Sequence, residues 1–436
     1  MSREPQHEYI KISDLRVSNN KLVAKLDLSK EPRKYFLAEI FFAEYSDTVE
    51  NIDESILVIP PLSVVITIAW AMGADVYVDK IDKTYLNSLK NIKYIFKKWF
   101  PNFSLSGRIH TKNIVSNRFN NKDYALLFSG GLDSRASYIT NKDKKPVLIS
   151  IWGLDIPTNE TKFWSKISKK LIDFANHERV NIHFIKTNAR ELINDGLLSR
   201  KYGMESWWER VCHGVITLSL CAPITKEKIG NIIYASSYEP EFNEPWGSHP
   251  ILDENLSWAD VKIISDLHQL GRQEKIRYIL KSHPKYLRDL RVCWIQHTEY
   301  NCGLCEKCLR TITGLVLEDI DPRKCGFQVN NGIFDLIKAF FTKGLIPMTA
   351  FGLACWLNIQ KLIPSELDDT KLYNSKKFFE FFRKYDLLSY KYRGDNLITN
   401  GLRNVLIARY LIKGRGFSYF LGRVFDSLRS QVIKRM

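Results

Sequence analysis

The chain reads as an α/β protein with a three-layer, parallel-sheet core over about residues 121–320. A mixed α/β domain (1–120) precedes the core and a basic helical domain (321–436) follows it. Three observations predict this. From Tyr124 onward, short apolar runs alternate with helix-period segments. Those runs are continuously apolar rather than alternating, as strands covered on both faces are. The first run passes through a double-glycine turn straight into a helix.

Before the core, "KLVAKLDL", "KYFLAEIFFAEY" and "ADVYVDKI" read as strands, with helices near 61–72 and 83–98. The charge-free run Ser55 to Ala74 is broken by Pro60 and Pro61 into a short strand and a helix of about a dozen residues, too short to span a bilayer. Polar "SNRFNNKD" (116–123) reads as a linker. Strands follow at Tyr124–Phe128, "KPVLISIWG", "VNIHFIKT" and "NIIYASS". A helix capped by Thr158 or Asn159 places Phe163, Ile167, Leu171 and Phe174 on one face. Glu205 to Ala222 reads as a long buried helix ended by Pro223 and weakened at Gly214. "SWAD" (257–260) looks like a capping start for a helix reaching about Leu270. Beyond Cys325 the pattern is helical and closes on amphipathic "YFLGRVFDSLRSQVIKRM".

A hydrophobic fraction of 45% with ten tryptophans excludes global disorder. The start, "MSREPQHEYIK", carries no apolar signal region, so a cytoplasmic protein is expected. Net charge is +16, and the last 66 residues hold 15 Lys/Arg against 4 Asp/Glu. That imbalance points to nucleic acid or an anionic membrane surface as a partner of the C-terminal segment, or to a solvated basic face.

Half of the eight cysteines fall in "RVCWIQHTEYNCGLCEKCLR": Cys293, Cys302, Cys305 and Cys308. Four soft thiolates this close suit one tetrahedral Zn2+ in a closed structural site; an iron–sulfur cluster is the alternative. The glycine turn, Ser129-Gly130-Gly131-Leu132-Asp133-Ser134, lets backbone N–H groups approach an anion at a helix start. It lacks the GK[ST] ending of a Walker A loop.

SGGxDS after a strand resembles the PP-loop of the N-type ATP pyrophosphatases. Together with the cysteine spacing and "CGLCEKC", it resembles 7-cyano-7-deazaguanine synthase (QueC) and QueC-like proteins over Tyr124 to Gly314. The resemblance implies a nucleotide-binding core that cleaves ATP to AMP and diphosphate. It activates a carboxylate or amide oxygen, which ammonia or an amine then attacks to give an amide or nitrile. It implies ATP and Mg2+ at Ser129, Gly130, Gly131, Asp133 and Ser134, and Zn2+ at the four cysteines. Asp133, Ser134 and Arg210 are the implied catalytic residues, with His213 and Arg310 nearby. The synthase's tyrosine-proline-aspartate-cysteine-arginine stretch is absent. Its place is taken by "SSYEPEFNEPWGSHPILDE" (236–254), whose polar candidates are Glu239, Glu241, His249 and Asp253. The partners expected are a small or macromolecular carboxylate acceptor and a second copy of the chain. An RNA-modifying PP-loop enzyme and a non-catalytic nucleotide-binding protein of the same fold are the alternatives.

Overall fold

The computed structural model describes residues 7–240, 242, 244–294, 300–368 and 372–415. The chain is α/β and forms two compact units. The first comprises the described residues of Met1–Ser129, Ser137–Tyr238 and Asn243–His268; the second those of Gly130–Ala136, Glu239–Phe242 and Gln269–Met436.

The first unit is organised on one ten-stranded sheet. Its strands are β1 (Tyr9–Ser18), β2 (Lys21–Leu28), β3 (Ile40–Tyr45), β4 (Asp75–Asp82) and β5 (Ile109–Val115), then β6 (Asp123–Leu127), β7 (Val147–Trp152), β8 (Ile182–Thr187), β9 (Ile229–Ala235) and β10 (Lys262–Asp266). Their order is β10-β9-β6-β7-β8-β3-β2-β1-β4-β5. β7, β6, β9 and β10 pair in parallel, as do β7 with β8. β3 runs antiparallel to β8 and joins the N-terminal strands to the same sheet. The boundary expected near residue 120 therefore does not divide the sheet.

From β6 the chain builds outward through β7 and β8, then returns to the opposite side of β6 with β9. β6 thus stands at the point where strand order reverses. In open α/β sheets, ligands bind beyond the carboxyl ends of strands at that point.

Ile59–Met72 is one helix with every residue through Ala71 buried, as a charge-free helix apolar on nearly every side must be. Pro60 and Pro61 occupy its first turn, where a missing N–H leaves no bond unmade. The residues before them form a helical turn, Glu54–Leu57, not the expected strand, because the Asp53 carboxylate caps it by accepting from the Ser55 N–H at 2.9 Å. Lys83–Trp99 buries Tyr85, Leu89, Ile92 and Phe96 along one stripe. Asp82 caps that helix, accepting from the Tyr85 N–H at 2.9 Å.

"SWAD" starts no helix. Trp258 and Val261 form a bridge, and β10 follows, paired in parallel with β9. The Glu205–Ala222 stretch is not one regular helix either: a π-turn, Trp208–Cys212, leads into His213–Ser219, and a 3-10 turn holds Pro223.

The second unit is helical after its short leading segments. It contains Glu306–Leu317, Ile333–Thr342, Ala350–Lys361, Lys376–Lys384 and Leu397–Arg415. Phe334, Phe340, Phe341, Trp356, Phe378, Phe379 and Phe382 supply its aromatic core. The amphipathic C-terminal stretch read from the sequence lies outside the described residues, as does Glu241. Among the described residues no helix is long and apolar enough to cross a membrane.

Candidate active site and metal centre

The glycine turn lies between β6 and the helix Leu132–Asn141. Ser129 is exposed, Gly130 and Ser134 are buried, and Asp133 falls in the first helical turn. Gly130 has φ 71°, the left-handed region that a side chain resists by about 1–2 kcal/mol. Its carbonyl accepts from the Arg135 Nε–H at 3.0 Å and from the Arg291 N–H at 3.1 Å. Because a trans peptide sets N–H and C=O in opposite directions, the Gly131 N–H points away from that anchor. The Ser134 hydroxyl donates to the Gly131 carbonyl at 3.2 Å.

Arg135 was not singled out from the sequence, where it reads as the last letter of the turn. It is buried, and its guanidinium also donates to the carbonyls of Tyr286 (2.9 Å) and Asp289 (3.1 Å). One side chain thereby ties the turn to the segment that leads into Cys293. Arg135→Ala removes three buried hydrogen bonds to carbonyls and is expected to destabilise the protein by on the order of 3 kcal/mol. Arg135→Lys should recover little, since one ammonium cannot span the three acceptors. A urea titration checks both.

Asp133 was expected to help place Mg2+. It meets two cations of the second unit: its Oδ2 accepts from Arg272 Nη2 at 2.5 Å and its Oδ1 from Lys275 Nζ at 3.3 Å. Burial opposes its charge, but Arg272 and Lys275 outweigh it and hold the carboxyl well below the usual carboxylate range. Arg310 pairs bidentately with Glu306 one helical turn away, Nε to Oε1 at 2.8 Å and Nη2 to Oε2 at 3.3 Å. Glu239 is buried in the same unit, and its Oε1 accepts from the Arg272 backbone N–H at 3.0 Å.

The four cysteines are brought together. Their sulfurs all lie within 4.8 Å of one another, with Cys293–Cys305 and Cys302–Cys308 each at 3.9 Å. Zn–S bonds of about 2.3 Å in a tetrahedron require sulfurs about 3.8 Å apart, so the set fits a single ion and is too tight for a multi-iron core. Cys302 Sγ accepts from the N–H groups of Leu304 (3.4 Å) and Cys305 (3.2 Å), the outer contacts that steady a thiolate ligand. Asn301, unnoticed in the sequence, stitches the centre. Its Oδ1 accepts from Val292 and Cys293 N–H, and its Nδ2 donates to the Leu290 and Gly326 carbonyls.

The remaining candidates belong to the first unit. Arg210, on the π-turn, is paired with Glu244 at 2.5 Å. His213 Nδ1 is 3.3 Å from Ser248 Oγ. His249 caps the short helix Pro250–Asp253 by accepting from the Ile251 N–H. Asp253 is buried, and burial pushes its carboxyl well above the usual range. Gly214 sits against it: a Cβ there would meet Asp253 Oδ1 at 2.3 Å. Neither family models, nor curated proteins, nor solved structures gave a match to this chain.

Proposed function

We propose that the protein is a PP-loop, QueC-like ATP-dependent enzyme. It adenylates a carboxylate or amide oxygen, releases diphosphate, and forms an amide or nitrile with ammonia or an amine. The observation that carries this reading is the strand–SGGLDS–helix turn, anchored through the Gly130 carbonyl and leaving β6 at the reversal of strand order. In the first step the acceptor oxygen bonds to the α-phosphorus while the α–β bridging P–O bond breaks, and its electron pair leaves on diphosphate. In the second, on a carboxylate, the amine nitrogen displaces AMP and loses a proton to give the amide. Where the amide oxygen is activated in a further round, AMP leaves with its C–O electron pair while the amide's own nitrogen gives up its protons, leaving the nitrile.

In this proposal the Gly131 N–H and the helix start at Leu132 hold phosphate oxygens, with Ser129 and Ser134 as hydroxyl donors. One carboxylate with substrate phosphate oxygens is an ordinary ligand set for Mg2+, so Asp133 suits that ion once it yields Arg272 and Lys275. Bound there, Mg2+ offsets the charge that builds on the departing diphosphate. The four thiols hold a structural Zn2+.

Incubation with ATP and a panel of small carboxylates and amides, with ammonium present, is expected to yield AMP and diphosphate in equal amounts. Mass spectrometry of molecules co-purifying with the protein identifies the acceptor. Release of ADP and orthophosphate instead, or no nucleotide binding, counts against the reading.

A further inference from the structure

The helix Lys83–Trp99 carries five lysines and no acidic residue. Its apolar stripe, with Tyr85, Leu89, Ile92 and Phe96, is buried in the protein. The opposite face is open: Lys83, Lys90, Tyr94, Lys97 and Lys98 are all exposed, Tyr94 by 62%. Lys83, Lys90 and Lys97 recur every seven residues, which sets them about 10 Å apart along one side of the helix. None of the five lysines forms an ion pair among the described residues.

A face that serves solubility alone mixes charges of both signs. Here Lys90–Lys93 and Lys93–Lys97 are like-charge pairs one turn apart, which destabilise a helix, and no Glu or Asp on the helix offsets them. Lys93 is engaged locally, donating to the Gly107 carbonyl at 2.6 Å. The other four point a regular row of cations at solvent, the complement of a regular row of phosphates.

We propose that this face is a docking surface for single-stranded RNA. Lys83, Lys90, Lys97 and Lys98 neutralise phosphates, and Tyr94 stacks on an unpaired base. Lys98 Nζ lies over the Tyr94 ring at 4.6 Å, so one side of the ring holds a cation and the other is left for the base. Asn87 and Asn91 are exposed on the same face, and their amides donate and accept as a ribose 2′-hydroxyl does. Lys90 Nζ reaches Asn87 Oδ1 at 3.4 Å, so a phosphate held by the lysine brings its ribose to the amide. An anionic membrane fits less well. Helices that lie in a membrane surface insert an apolar face, and the apolar stripe of this one is buried. The proposal goes beyond the adenylation reading and does not rest on it, since it uses no residue of the glycine turn or the cysteine centre.

The test is fluorescence anisotropy of a labelled oligouridine of about a dozen nucleotides with the full-length, zinc-loaded protein and no ATP. Any contribution of the basic last 66 residues is common to wild type and variants, so the readout is their difference. Replacing all four outward lysines (Lys83→Gln, Lys90→Gln, Lys97→Gln and Lys98→Gln) should lower the slope of log affinity against log salt by about 3, at about 0.7 per cation on a single strand. Glutamine matches lysine in helix propensity, and an undiminished melting temperature shows that the fold is kept. Tyr94→Ala should weaken binding by about fivefold to a hundredfold and leave the slope unchanged. Oligodeoxyuridine should bind about twofold to tenfold more weakly than oligouridine, and Asn87→Ala with Asn91→Ala should erase that difference. A wild-type slope in the lysine variant, wild-type affinity in Tyr94→Ala, or equal binding of oligodeoxyuridine would each overturn the proposal. So would equal retention by phosphatidylserine vesicles that the lysine variant abolishes. If RNA binds as described but ATP yields no diphosphate, the adenylation reading fails and this surface stands. If ATP yields diphosphate and the lysine variant binds RNA as the wild type does, this surface alone fails.

Discussion

Replacing Cys305 with alanine is expected to give zinc-free protein that is unstable or insoluble, not a well-folded inactive one. Structural zinc contributes about 10–16 kcal/mol of apparent binding free energy in small zinc domains, comparable to the whole stability of an ordinary domain. Cys305 has a second role, as the residue at the N-cap of Glu306–Leu317. That helix buries Leu309, Ile312, Leu315 and Val316, and it presents Glu306 and Arg310. Losing the metal therefore frees the start of a helix whose packing depends on its position. Elemental analysis should find one zinc per wild-type chain and none in the variant. A strong chelator should lower the melting temperature of the wild type toward that of the variant. Acid should do the same, since the ligands must be deprotonated to bind. A variant with wild-type melting and no zinc would remove the structural role.

The four-cysteine centre and the glycine turn were legible because their chemistry is local. Spacing alone brings Cys302, Cys305 and Cys308 onto one knuckle, and two glycines between a strand and a helix announce a tight turn. What was not legible depends on distant partners. In "SWAD" the Ser257 hydroxyl donates to the Val261 carbonyl, and the Asp260 carboxylate accepts from the N–H groups of Phe119 and Asn120. The capping groups are thus engaged elsewhere, and pairing with β9 draws the following residues into a strand. The merger of the N-terminal strands into the main sheet rests on the β3–β8 pairing, which joins residues more than a hundred positions apart and leaves no local pattern. Arg272 and Lys275, in "GRQEKIRY", look like charges on a solvated helix. Only the tertiary fold buries them, and only burial makes Asp133 their counter-ion.

That ion pairing shapes what Asp133→Ala should do. On the proposed adenylation reading, diphosphate release from ATP is expected to fall at least about 100-fold, because the variant loses the carboxylate in the first helical turn after the glycine turn. Zinc content should be unchanged, since Asp133 touches none of the four thiols' contacts described above. The fold should not be unaffected: Arg272 and Lys275 are left buried without their shared counter-ion, which in buried pairs costs about 3–5 kcal/mol. Asp133→Asn should lose activity equally but less stability, as its amide oxygen still accepts from a cation. The pH dependence carries a definite sign. A carboxyl held below its unfolded value of about 3.9 stabilises the native state fully above that pH, and the contribution vanishes as pH falls through the native value. The stability gap between wild type and Asp133→Ala should therefore be flat from pH 6 to 8 and narrow in acid. Removing Arg272 as well should give a double variant more stable than the sum of its singles, because one of the two buried cations left without a counter-ion is gone. If the wild type releases ADP and orthophosphate, and Asp133→Ala leaves that rate unchanged, Asp133 has no part in ATP cleavage and the nucleotide reading of the turn falls with it.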